Sequence, residues 1–214
     1  MLKVLAASVI RGDAEAVGRL TREAVETGVP PQEILEQGLI AGMNVVGERF
    51  KNNDIFLPEV LVAARAMKAG IAHLEPLLLA GGVKPVGKFL IGTVKGDVHD
   101  IGKNLVAIML RGAGFDVRDL GVGVSGQRFV EEIEAYQPHI VGMSALLTTT
   151  MRQMETNITT FREAGVLGRV KVIVGGAPVN RQFAREIGAD AYGMNASDAV
   201  EKALQLMKNL REVQ

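Results

Sequence analysis

The sequence predicts an α/β chain, with an N-terminal four-helix bundle over residues 1–82 and a five-stranded parallel sheet domain over residues 88–214. Three observations predict it. Up to about residue 79, apolar residues recur at helical spacing. The stretch Ala80–Gly87, rich in glycine and proline, reads as a linker and a domain boundary. From Lys88 onward, short apolar runs alternate with amphipathic stretches, which is the pattern of strands joined by crossover helices.

In the first region, Asp13 is placed to cap a helix that runs to about Thr27, with Glu15 in its first turn and Gly28 stopping it. Pro30-Pro31 opens the next helix, because proline is tolerated in a first turn. Leu35, Leu39, Met43 and Val46 fall on one face of it, beside Gly38 and Gly42. Lys51–Asp54 is a polar turn. Leu57-Pro58-Glu59 begins the fourth helix, with Val60, Leu61, Ala64, Met67 and Ile71 directed inward. Short connections make these helices a small bundle.

In the second region, strands are predicted at 88–94, 116–119, 140–144, 171–174 and 190–192. Helices are predicted near 101–112, 126–136, 149–164, 180–187 and 197–209. A parallel sheet of this size suggests the flavodoxin-like, Rossmann-like order 2-1-3-4-5. Ligands then bind at the carboxyl ends of the strands. The loops at those ends are 96–100, 121–125, 144–150 and 175–178.

Composition narrows the function. The chain has 214 residues, of which 48% are apolar, so a sizeable core can be buried. Lysine plus arginine (24) balance aspartate plus glutamate (24), which leaves no basic surplus for nucleic acid. There is no cysteine, so disulfides, thiolate metal sites and a cysteine nucleophile are excluded. No secretory h-region or bilayer-spanning stretch is seen, and a cytoplasmic chain with no membrane partner is expected. The 25 glycines and nine methionines suit close backbone approach to something large.

Chemistry concentrates in Gly96-Asp97-Val98-His99-Asp100-Ile101-Gly102-Lys103-Asn104, between a buried strand and a helix. Spacing and charge argue against a phosphate loop. Five residues rather than four separate Gly96 from Gly102, Asn104 stands where serine or threonine would hold magnesium, and two aspartates would repel phosphate. Asp97 can accept from one imidazole nitrogen of His99 and leave the other for a metal. No other histidine or carboxylate is spaced to complete a zinc site. His73 and His139 read as surface or boundary residues. One protein ligand suffices if a cofactor supplies the rest, and a macrocycle with an open axial position meets that need.

The residues here resemble a known family. Asp97-x-His99-x-x-Gly102, then Ser144-x-Leu146, then Gly175-Gly176, at successive strand ends, is similar to the cobalamin-binding signature of the methionine synthase type. Gly42-Met43-Asn44-Val45-Val46-Gly47-x-x-Phe50 and Phe56-Leu57-Pro58-Glu59-Val60 resemble that family's helical cap. The resemblance covers nearly the whole chain. Its two-domain content is similar to the stand-alone corrinoid proteins of anaerobic methyltransferase systems.

The resemblance implies cobalamin or a related cobamide, bound base-off with His99 as the lower axial ligand of cobalt. Asp97 would hydrogen-bond His99, and Thr150 would extend that relay where related proteins carry serine. Gly96, Val98, Asp100, Ile101 and Gly102 complete the cofactor-binding loop. Ser144, Leu146 and Thr148 would lie by the nucleotide tail, and Gly175, Gly176 and Ala177 would line its slot. Phe50, Leu57 and Val60 would cover the upper corrin face, with Glu36 near it. Without the resemblance, Phe50, Leu57 and Val60 read as bundle core, and Ser144 and Thr148 as helix caps.

The implied function is a methyl carrier that shuttles a methyl group via Co(I)/methyl-Co(III). It would work between a substrate-specific methyltransferase and an acceptor methyltransferase acting on tetrahydrofolate or coenzyme M, with a reductive activase as a further partner. Gly81–Gly87 is the natural hinge. The alternatives are a cobalamin-dependent sensor or regulatory module, an adenosylcobalamin mutase subunit, and a receiver-like module that binds no corrinoid.

Overall fold

A computed structural model of the chain describes residues 1–80 and 85–212, except for the side chains of residues 51, 75, 79 and 80. It divides into two compact units: Met1–Pro85 with Gly112–Gly114, and Val86–Arg111 with Phe115–Gln214. Residues 81–84 of the expected linker and hinge lie outside the described residues, as does the expected domain end at residue 82.

The first unit is helical. It comprises α1 (Leu2–Arg11), α2 (Ala14–Glu26), α3 (Pro31–Glu33), a π-helical stretch (Ile34–Ile40), α4 (Ala41–Lys51) and α5 (Leu57–Ala80). Asp13 caps α2 by accepting from the Ala16 N–H at 3.0 Å, and Glu59 accepts from the Phe56 N–H at 3.2 Å at the start of α5. Pro31 opens the third helical segment, as expected.

Two features depart from the periodicity. The run from Pro31 to Lys51 is continuous but widens over Ile34–Ile40, where it carries Gly38. A Cβ on Gly38 would stand 2.6 Å from Leu5 Cδ2, so the glycine lets α1 lie against the wide turns. On α5 the buried stripe is Val60, Ala63, Met67, Gly70 and Leu74, whereas Leu61 is 45% exposed and Ala64 and Ile71 are only partly buried. The face is set by what α5 packs on: a Cβ on Gly70 would meet Leu39 at 2.8 Å. Apolar spacing alone chose the neighbouring residues because α5 is apolar on most of its surface.

The second unit is the predicted α/β sheet. Its elements are β1 (Lys88–Thr93), α6 (Ile101–Gly112), β2 (Asp116–Asp119), α7 (Gly126–Tyr136), β3 (Ile140–Ser144), α8 (Thr148–Glu163), β4 (Lys171–Gly175), α9 (Arg181–Glu186), β5 (Ala191–Gly193) and α10 (Ala196–Glu212). All neighbours pair in parallel, in the order β2-β1-β3-β4-β5. The inner strands β1, β3 and β4 are buried on both faces, which is why they read as unbroken apolar runs. One core layer packs Leu90, Val141 and Val172 under Phe129 and Phe161, whose rings meet edge to face at 6.0 Å.

β5 begins one residue later than expected. Asp190 is occupied at the strand's entry: its carboxylate accepts from the Val172 N–H and Lys171 Nζ, each at 2.8 Å. Among the described residues, no helix is long and apolar enough to cross a membrane.

Candidate functional site

The loop after β1 places His99. Val94-Lys95-Gly96-Asp97 makes a tight turn closed by the Asp97 N–H on the Val94 carbonyl at 3.1 Å. Its third residue has a φ of +81°, which glycine adopts without strain. The turn aims Asp97 inward, with no exposed surface, while the His99 side chain stays 46% exposed.

Asp97 is saturated as an acceptor. Oδ1 accepts from the His99 N–H at 3.0 Å and from His99 Nδ1 at 2.7 Å. Oδ2 accepts from Thr150 Oγ1 at 2.6 Å and from the N–H groups of Leu146 (2.8 Å) and Leu147 (3.3 Å). Burial by itself would raise the carboxyl pKa. The bonds from Thr150, the Leu146 amide and both donors of His99 outweigh it, and hold the group well below the usual carboxylate range. The amino end of α8 adds its dipole in the same sense. An ionised carboxylate can only accept, so the proton of the neutral imidazole is on Nδ1 and the lone pair is on Nε2. Thr93 Oγ1 donates to the His99 carbonyl at 3.0 Å, which fixes the backbone as well as the ring.

Beside this relay is a cleft of about 250 Å³ at the carboxyl ends of β1, β3, β4 and β5, walled by α6 and α10. Gly102, Ser144, Gly175, Gly176 and Ala177 line it. Gly176 has a further reason to be glycine: at φ +127°, a Cβ there would stand 1.8 Å from the Ala145 carbonyl oxygen. That residue serves the approach of two loops as much as clearance for a ligand.

The other expected positions fall out as follows. Val98 and Ile101 are 72% and 73% exposed, and Leu146 is 44% exposed. Asp100 is partly buried and accepts from Asn104 Nδ2 at 3.0 Å. Thr148 is exposed at the first residue of α8 and does not line the cleft. In the helical unit, Phe50 and Leu57 are half-buried and Val60 is fully buried. Glu36 is exposed and accepts from Gln32 at 2.9 Å.

Several participants escaped the motif reading. The Leu146 and Leu147 amides carry no side-chain signal. Tyr192 in the short β5, with Met194 and Asn195 directly after it, forms one wall of the cleft. Gly193 at the end of that strand is the pattern that could have marked this fifth loop. Lys103 lines the cleft with an almost wholly buried side chain.

Among the described residues, no three histidine, cysteine, aspartate or glutamate side chains gather to hold a metal. A single exposed Nε2 therefore fits a metal that brings its other ligands with it. Val98, Val122, Leu146 and Leu147 on loops of this same sheet edge, and Ile101 at the start of α6, are exposed and suit a broad apolar ligand face. The cleft is too small for a whole macrocycle and suits one arm of it.

The comparisons agree with this geometry. A B12 binding domain model matches residues 87–204, and a second B12 binding domain model matches residues 1–75. Dimethylamine corrinoid protein 3 of Methanosarcina acetivorans is 48% identical over 188 residues, covering 86% of this chain and 88% of that protein. Trimethylamine corrinoid protein 2 of the same organism is 46% identical over 204 residues, covering 94% of each. A chain of the methanol:cobalamin methyltransferase complex MtaBC from Methanosarcina barkeri superposes with a TM-score of 0.85 at 30% identity, covering 97% of this chain and 82% of that one. With a helical unit and a parallel sheet that both match B12 binding domain models, this chain belongs to the B12-binding family of corrinoid proteins.

Proposed function

We propose that the chain is the methyl-carrying corrinoid subunit of a methyltransferase system. It would hold cobalamin or a related cobamide base-off, with His99 Nε2 as lower ligand and the nucleotide tail in the cleft at Gly175–Ala177. When bound, this group supplies a cobalt that takes up and gives up a methyl group. The observation that carries the reading is the Thr150–Asp97–His99 relay beside a glycine-lined cleft.

Each residue has a defined task. Asp97 stays ionised, keeps the His99 proton on Nδ1 and so presents Nε2 as a donor. Thr150 Oγ1 donates to Asp97 and fixes its second oxygen. A proton taken up by the relay is held at His99 Nε2, which removes the lone pair offered to the metal. Ser144 lies at the cleft wall as a hydroxyl partner for the tail. Within the system, a methylamine-type methyltransferase would deliver the methyl group, since the relatives at 48% and 46% identity are named for dimethylamine and trimethylamine. An acceptor methyltransferase working on coenzyme M or tetrahydrofolate would remove it, and a reductive activase would restore the carrier.

The test is the electron paramagnetic resonance spectrum of the Co(II) form. Nitrogen superhyperfine coupling from one histidine is expected in the parent chain and should vanish in His99→Ala. Coupling that persists in the variant would remove His99 from the metal.

A further inference from the structure

Lys103 follows Gly102 in the loop and belongs to the first turn of α6. Its side chain is 1% exposed, which demands a partner for the ammonium. The head has two: Asp119 Oδ2 at 2.5 Å, at the end of β2, and Asn104 Oδ1 at 2.7 Å. Each leads to one flank of the His99 loop. Asn104 Nδ2 donates to Asp100 Oδ2 at 3.0 Å, one residue past His99. Asp119 Oδ1 accepts from the Gly121 N–H at 2.9 Å, and that loop returns to the site twice. The Gly121 carbonyl accepts from the Thr93 N–H at 2.9 Å, and the Gly123 N–H donates to the Asp97 carbonyl at 3.0 Å. The residue also lines the cleft, alongside Gly102 and Val106. One side chain thus forms part of the cleft wall and ties together the two loops that hold Asp97 and His99.

We propose that Lys103 is a positioning residue that couples filling of the cleft to the setting of the His99 loop. A tail seated in the cleft packs on Lys103, whose ammonium then holds the loops at Asp100 and Gly121 in the geometry that presents His99. This rests on the corrinoid reading above. An ordinary buried ion pair would stabilise the fold without distinguishing ligands that fill the cleft from ligands that leave it empty. A coupling residue makes that distinction.

The experiment compares the affinity of the full chain for cobalamin and for cobinamide, the corrinoid without the nucleotide tail. The ratio of the two dissociation constants is the tail advantage. Lys103→Met keeps much of the stem's volume and removes the charge, so an effect cannot come from opening the cleft. The tail advantage is expected to fall about tenfold in Lys103→Met, about 1.4 kcal/mol of coupling, and to return in Lys103→Arg. In the chain without corrinoid, the Gly121 and Gly123 amides should exchange with deuterium at least about tenfold faster in Lys103→Met. Should that variant fail to fold, Lys103→Met with Asp119→Asn removes both charges together and leaves Gly121 a carboxamide oxygen; the same fall is expected. An unchanged tail advantage in the folded variant overturns the coupling and leaves the corrinoid reading standing. A parent chain that binds neither corrinoid overturns both.

Discussion

The sheet carries a histidine at each of two opposite edges, and the two are wired in opposite senses. At the carboxyl edge, His99 Nδ1 faces the ionised Asp97 and must donate, which frees Nε2. At the amino edge, His139 Nδ1 accepts from the Lys88 N–H at 2.9 Å, so its neutral form carries the proton on Nε2. The His139 backbone also bridges β1 and β4, its N–H donating to the Lys88 carbonyl and its carbonyl accepting from the Lys171 N–H. Partial burial, with the charges of Lys88 and Arg211 nearby, pulls the His139 pKa below its usual 6.5. One imidazole keeps Nε2 free at the carboxyl edge and the other closes the start of the strands. The partner on Nδ1, rather than the residue type, decides which.

The contrast can be broken most strongly at Asp97. Asp97→Asn puts an amide among five donors and removes the charge that sets the His99 proton. A loss of roughly 3 kcal/mol in folding stability is expected from disrupting so many buried bonds, read by denaturant unfolding. A loss below about 1 kcal/mol would mean that the carboxyl edge is not tensioned by this charge.

Thr150 gives a smaller and more selective effect. Thr150→Val keeps the shape and deletes the hydroxyl, at an expected cost of about 1–2 kcal/mol, whereas Thr150→Ser should recover most of it. A larger loss in Thr150→Ser than in Thr150→Val would assign the effect to packing of the methyl group instead of to the bond on Asp97.

The weakest effect separates the edges by pH. His139 has a depressed folded pKa, so its contribution is complete above 6.5 and is lost as the pH falls from there through the folded value. Asp97, also depressed, contributes throughout that range and weakens only below its usual 3.8. His139→Gln should therefore flatten the stability profile below about pH 6.5, and only slightly, since the ring is partly solvated. A parent profile identical to that of His139→Gln would remove the amino edge from the comparison.

Much of this was legible in the chain. The runs Phe89–Val94, Ile140–Met143 and Lys171–Val174 marked strands buried on both faces, and their alternation with helices pointed to the order β2-β1-β3-β4-β5. Asp97 and His99, two residues apart in a glycine-bounded turn, announced an oriented imidazole. Local spacing determined these features because strand and helix periodicity, and a bond between near neighbours, are written in adjacent residues.

What only the tertiary structure decided depends on groups far apart in sequence. Thr150, which residue spacing does not pair with Asp97 and only the family resemblance suggested, reaches it across 53 residues, and the Leu146 amide reaches it across 49 through backbone that has no identity in sequence. Lys103 found Asp119 instead of a phosphate. Gly38 and Gly70 mattered through what they approach, Leu5 and Leu39, which also set the buried face of α5. A carboxylate's pKa, the wall of a cleft and the face a helix buries are sums over folded neighbours, and no periodicity in the chain records which neighbours those are.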